Sequence, residues 1–165
     1  MNAFISTFFI CIFLSLSQID CTHYKSSIAQ SQDAKIAQNE RAVANFIQWH
    51  NQFFSGPMRP VTHEELSEFF ADDIYFEVNG KKVAQNIADM VIDYARIKNK
   101  EHKLVNIEKF DEKVVKTLSN GVTEIWAKHD ITMIFKDDSK KVFKVESNIF
   151  IKSGKIFKYI EKFGV

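Results

Sequence analysis

Apolar positions recur at helical spacing through the first part of the chain and alternate in the last part, so the change of period separates a helical region from a strand-rich one. Ile36, Val43, Phe46, Ile47, His50, Phe53 and Phe54 share one helical face, which predicts a long amphipathic helix over about 33–54, ended by SGPMRP. Thr62, with Glu65 three residues on, forms a capping box and predicts a second helix from His63 to Phe70. DDIYFEVNGKKV reads as a short strand and an Asn79-Gly80 turn. A third helix, over about 85–98, carries Val83 or Ile87 with Met90, Val91, Tyr94 and Ile97 on one face. From Glu101 onward, four β-rich runs are separated by SNG, KDDSK and KSGK, all turn chemistry. The order α-α-β-α-β-β-β-β predicts an α+β domain, with three helices packed in the concave face of a curved, mainly antiparallel sheet.

Composition narrows the function classes. The chain has 165 residues and is 45% apolar, enough for one domain with a proper core. Its net charge of +1 provides no overall field for nucleic acid or an anionic membrane. Sixteen Phe predict an aromatic core or pocket, and the five Gly form neither GxGxxG nor GxxxxGK[ST]. The strand lysines alternate with Glu and Asp, which makes a solvated sheet face and not a stripe that could follow a phosphate backbone.

The N-terminus reads as a separate object. Ala3 to Ser17 is uncharged and apolar, shorter than the roughly 20 residues a bilayer span needs, and it fits the core of a secretory signal. Ser15 and Ser17 allow cleavage before Gln18, and a second cut after Cys21 is conceivable. The n-region MNAF lacks Lys and Arg, so an uncleaved interfacial anchor is the alternative. Residues 1–21 are therefore read as a signal peptide, 22–32 as a flexible polar tether and 33–165 as the domain of a secreted or periplasmic protein. Cys11 and Cys21 both fall in or beside the leader, so the mature chain has no internal disulfide, and SQIDC departs from a lipobox.

FIQWHN in the first helix, FFADDIYFEVNG after the second and GKIFKYIEKF in the last strand resemble the nuclear transport factor 2-like superfamily. Its SnoaL-like cyclases and ketosteroid isomerases share a cone-shaped α+β fold. The resemblance covers about Asp33 to Val165. It implies a pocket on the concave sheet face and, commonly, a homodimer through the other face, where Trp126, Ile134 and Phe150 fall. It also implies departures from the ketosteroid isomerases. Their catalytic aspartate position holds Val78 here, preceded by Glu77, and their helix-one tyrosine falls near Phe46. Glu146 would match the oxyanion-hole acid only with a four-residue final hairpin loop. These departures argue against steroid isomerisation by that mechanism.

Period-two counting assigns the faces. In TEIWAKHDITMIF, Ile125, Ala127, His129, Ile131 and Met133 share the apolar side, so His129 points inward and Asp130 outward. Three-residue loops at KSG and DDS would place His129, Ser147 and Tyr159 in one transverse row, with Glu161 one diagonal step away. His129, Glu161 and Tyr159 are thus the candidate catalytic residues, with His129 as general base or hydrogen-bond donor; a core histidine satisfied by Ser147 or Tyr159 is the plainer alternative. Phe46, Trp49, Phe76, Val78, Ser147, Phe157 and Phe163 are the candidate pocket residues.

No cofactor motif is found, and no metal site is expected: Asp72-Asp73 reads as a solvated turn, and the five histidines show neither HxH nor HExxH spacing. The pattern supports an apolar cone pocket that binds a small hydrophobic or amphipathic molecule. One alternative is a SnoaL-like isomerase, cyclase or dehydratase using His129 with Glu161 or Tyr159. The other is a protein-interaction module that uses the convex sheet face.

Overall fold

The computed structural model describes residues 6–164 apart from 101 and 109, with side chains from residue 30 onward apart from 99, 100 and 119. The chain divides into two units, 1–37 and 38–165. Helix α1 (Ser6–Ser55) accounts for the described part of the first unit, and neither Gly nor Pro interrupts its sequence. Residues 22–32, expected as a flexible tether, are therefore helical. The side chains of the expected leader, residues 1–21, lie outside the described ones. Among the described residues, no helix is long and apolar enough to cross a membrane.

The second unit opens with the end of α1. Helix α2 (His63–Ser67) starts at the expected capping box: Thr62 Oγ1 accepts from Glu65 N, and the Glu65 carboxylate accepts from Thr62 N. It stops earlier than Phe70, because Phe70 already opens β1 (Phe70–Val78). The Asn79-Gly80 turn joins β1 to β2 (Lys81–Ala84), with both turn residues at positive φ, a conformation that Asn and Gly tolerate best. Helix α3 (Ile87–Lys100) begins where Asn86 Oδ1 accepts from Asp89 N and Asp89 Oδ2 accepts from Gln85 N, a reciprocal cap.

Five further strands complete the sheet: β3 (His102–Ile107), β4 (Glu112–Thr117), β5 (Thr123–Phe135), β6 (Lys140–Lys152) and β7 (Lys155–Phe163). The seven described strands run in the order β2-β1-β7-β6-β5-β3, with β4 also paired to β5. Among the described residues, only β1 and β7 pair parallel. The first β-rich run appears as two strands because four residues, 108–111, face two on β5 between the pairs Ile107–Ile131 and Glu112–Lys128.

Two turns depart from the expected loops, and each changes the register. Between β5 and β6 the three-residue loop is Lys136-Asp137-Asp138, with Asp138 at φ 64°, and not Asp137–Ser139. Ser147 therefore sits opposite Ala127, and His129 opposite Val145. Between β6 and β7 the turn has two residues, Ser153 and Gly154, both at positive φ, as a type I′ turn requires. A bulge follows, because Ile151 pairs with Ile156 but Phe150 pairs with Lys158. Glu161 is consequently opposite Ser147, and Tyr159 opposite Ile149.

The helices are tied to each other and to the sheet by polar groups among apolar ones. The buried Lys98 ammonium of α3 donates to the carbonyls of Phe53 (2.6 Å), Phe54 (3.2 Å) and Gly56 (2.9 Å), which caps the end of α1 with a positive charge. Asn51 uses its carboxamide as a strand would: Nδ2 donates to Ile107 O and Oδ1 accepts from Ile107 N. Lys98→Met is expected to leave the three carbonyls without their donor and to lower stability by about 2–4 kcal/mol, measured by urea denaturation. A loss near zero would show that water replaces the ammonium.

A candidate functional site in the cone cavity

Between α1, α3 and the concave face of the sheet lies a cavity of about 510 Å³. Its walls are mostly apolar and aromatic, with Phe46 and Phe54 from α1, Phe76 and Val78 from β1, Met90 and Tyr94 from α3, and Ile131 and Phe163 from the sheet. Few polar groups interrupt them, and the interior ones are Glu161, Tyr159, Asp93 and His50. The bulge in β7 turns the Tyr159 and Glu161 side chains inward, while Lys158 pairs with the outward Phe150 and lies over its ring.

Glu161 is 6% exposed, and its acidity is strongly shifted. Burial pushes its carboxyl up to about 7; the Tyr159 hydroxyl, donating to it, pulls the other way, and the charge of Asp93 adds to the rise. Tyr159 and Tyr94 are both raised well above the ordinary tyrosine value, chiefly by burial and then by the neighbouring Glu161 charge. Asp93 is buried on α3 and paired with Arg96, whose Nε donates to Oδ1 at 3.1 Å. His50 is pushed down to about 4 by burial, with its Nδ1 3.2 Å from Asn51 Oδ1, so it is neutral at pH 7.

The candidate residues from the sequence divide into two groups. Phe46, Phe76, Val78, Phe163, Tyr159 and Glu161 line the cavity; Trp49, Ser147, Phe157 and His129 do not. Trp49 is a layer behind the wall, stacked on Phe53 with centroids 5.4 Å apart and close to Phe69 and Tyr94. Ser147 is fully buried beneath the cavity floor, opposite Glu161. Phe157 belongs to the bulge and packs against Phe150 on the outer face, 6.3 Å between centroids. Glu146 pairs with Lys162, also on the outer side, and outward Glu77 accepts from the Tyr75 hydroxyl at 2.6 Å.

His129 is inward and 1% exposed, as parity requires, and Asp130 accepts from Lys144 at 2.8 Å. The expected row with Ser147 and Tyr159 does not form, because the loop shift moves Ser147 two positions along. Neither ring nitrogen of His129 has a hydrogen-bond partner among the described residues; the ring packs on Phe110 at 5.1 Å and borders a separate cavity of about 170 Å³. Burial pushes it down to about 4.

Sequence reasoning missed Asp93 and Arg96. The signal was present: Asp93 lies three residues after Met90 and four before Ile97, an acid on the apolar stripe of its helix. Among the described residues, no group of three or more His, Cys, Asp or Glu could hold a metal ion.

No family model and no curated protein matches the chain. Solved structures do. A nuclear transport factor 2-like superfamily protein from Salmonella enterica serovar Typhimurium LT2 is 8% identical, with TM-score 0.64 over 81% of this chain and 93% of that one. The chain has the nuclear transport factor 2-like cone fold. A similar protein from Anabaena variabilis is 12% identical, with TM-score 0.59 over 78% of this chain and 90% of that one. The cone is also similar to an epoxide hydrolase from M. tuberculosis, 15% identical, with TM-score 0.57 over 78% of this chain and 84% of that one. At these identities the likeness concerns the fold, and the same cone hosts unrelated activities.

Titration gives the buried groups opposite signatures. An acid raised from 4.5 to about 7 on folding contributes stability below 4.5 that is lost as pH rises through 7. Glu161→Gln is therefore expected to gain about 3 kcal/mol relative to the native chain between pH 4.5 and 8, measured by denaturation at each pH. An imidazole lowered from 6.5 to about 4 behaves in the reverse sense, with its stability present above 6.5 and lost as pH falls toward 4. His129→Leu, which removes two unpaired buried nitrogens, is expected to match or exceed native stability at pH 7 and to widen its advantage in acid. A large loss at pH 7 would mean that His129 has partners.

Proposed function

We propose that the cone cavity binds one small, largely apolar molecule and holds its polar end against Glu161 and Tyr159. The observation that carries this reading is a cavity of about 510 Å³, walled by apolar and aromatic side chains with a few convergent polar groups. Its test is ligand-induced shifts in the NMR spectrum of the chain against a panel of neutral and amphipathic aromatic and alicyclic compounds. Binders are expected to perturb Phe76, Tyr94 and Tyr159, and Val78→Trp, which fills the cavity from β1, is expected to abolish the effect with the fold retained. Shifts unaffected by Val78→Trp would move the binding elsewhere.

A second reading, acid–base catalysis in the same cavity, is favoured by Glu161, whose carboxyl burial pushes up to about 7 beside the Asp93–Arg96 pair. Such a group can give or take a proton at neutral pH, as an isomerase, cyclase or dehydratase needs. Among solved structures of this fold are the M. tuberculosis epoxide hydrolase and a putative isomerase from Bacillus subtilis. His129 has no part in this chemistry, because it does not reach the cavity. Turnover of a fitting substrate would show a pH limb near 7 and fall at least 100-fold in Glu161→Gln. A pH-independent rate would end this reading.

Export and self-association complete the proposal. The apolar Ala3–Ser17 run supports secretion, and a mature chain lacking roughly the first 17 to 21 residues is expected in the exported fraction. Trp126, Ile134 and Phe150 on the outer sheet face, with Val142 51% exposed beside them, support a homodimer or another protein partner there.

A further inference from the structure

The reading of the cavity as a ligand site leaves the charge of the ligand open, and the distribution of ionised groups around it addresses that question. We propose that the cavity takes an amine: an apolar, ring-sized body bearing one ammonium group that pairs with Glu161. The inference rests on the ligand-binding reading above and deepens it.

Three observations carry it. Glu161 is 94% removed from solvent, yet it takes part in no ion pair among the described residues; its protein partner is the neutral Tyr159 hydroxyl. A buried carboxylate in that position is costly until a cation neutralises it. Second, the cations of the cavity wall are committed or outside. Arg96 is paired with Asp93, and Lys81 is exposed beside the Asn79-Gly80 turn. Asp93 adds negative potential at Glu161, so an anionic ligand group would meet two acids. Third, aromatic rings share the cavity wall with Glu161: Phe46, Phe76 and Tyr159 line the same space and pack on one another, with Phe76 and Tyr159 5.3 Å apart and Phe46 and Tyr159 6.2 Å apart. An aromatic lining attracts a cation and tolerates its hydrocarbon body equally well. The volume, about 510 Å³, is far larger than an ammonium group requires, which is why the ligand carries a ring.

A matched series separates charge from shape. Phenethylamine, 2-phenylethanol and phenylacetate share one body and differ in the terminal group; each is titrated calorimetrically into the full-length chain at pH 8, where the amine is cationic. The amine is expected to bind at least about 10-fold tighter than the alcohol, and phenylacetate more weakly than both. Glu161→Gln is expected to erase the preference for the amine, so that amine and alcohol bind that variant within about 3-fold of each other, and Glu161→Leu provides the same loss of charge should the amide variant fail to fold. Alcohol or phenylacetate binding as tightly as the amine overturns the cationic ligand class and leaves the apolar cavity reading intact. A preference for the amine that survives both substitutions also overturns it, because the cation would then be paired elsewhere. Absence of binding by all three compounds overturns the amine and counts against the cavity reading as well.

Discussion

The parity of the last strand is the constraint on which the cavity depends. Strand β7 is central in the sheet, paired on one side with β1 and on the other with β6, so its two faces decide what the cone holds inside. A two-residue turn at Ser153-Gly154 would by itself send Ile156 inward and, two residues on, Lys158, Ile160 and Lys162. The bulge at Phe157 adds one residue and reverses the alternation. Ile156 stays buried, Tyr159 and Glu161 become interior, and Lys162 remains exposed. A single extra residue thus exchanges two lysines for a tyrosine and a carboxylic acid at the cavity floor.

Holding that acid inside has consequences for the rest of the domain. The cavity is not filled by side chains, and an acid without a cationic partner weakens the fold as pH rises toward neutrality. Cohesion must therefore come from elsewhere, and the structure shows where. The twelve paired positions of β5 and β6, each strand 13 residues long, form a continuous antiparallel ladder. Lys98 fastens the end of α1 to α3, and Asn51 fastens α1 to β3, so both helical walls are anchored at their ends by polar contacts. The aromatic cluster of Phe46, Trp49, Phe53, Phe54 and Tyr94 packs between these anchors. A site that costs stability is carried by a frame that does not share its chemistry.

Much of the frame was legible in the residues. The helical stripe from Ile36 to Phe54 marks the part of α1 that belongs to the domain, the Thr62–Glu65 capping box marks the start of α2, and strand alternation places His129 inward and Asp130 outward. Each of these signals is local: a period, a cap or a turn within a few residues reports its own conformation. The site was less legible. Tyr159 and Glu161 were found through parity, although by way of a three-residue loop that the chain does not use; a two-residue turn plus a bulge consumes the same number of residues and leaves the same two side chains inside. Phe157 was misplaced for that reason, since it is the residue the bulge turns out.

What the sequence by itself determined is the succession of helices and strand-rich runs and the apolar lining, because periodicity and turn chemistry act over short spans; β2 and the division of the first β-rich run into β3 and β4 were settled by strand pairing. Which polar groups meet inside was decided only by tertiary structure. One loop set a single residue away from its expected place shifts the register by two and separates His129 from Ser147, and the packing of α3 on the sheet brings Asp93 within electrostatic reach of Glu161, 68 residues further along the chain. Those encounters depend on register and on the distance between elements. No local pattern encodes either quantity, since each is settled by how bulges, loops and buried side chains share the same space.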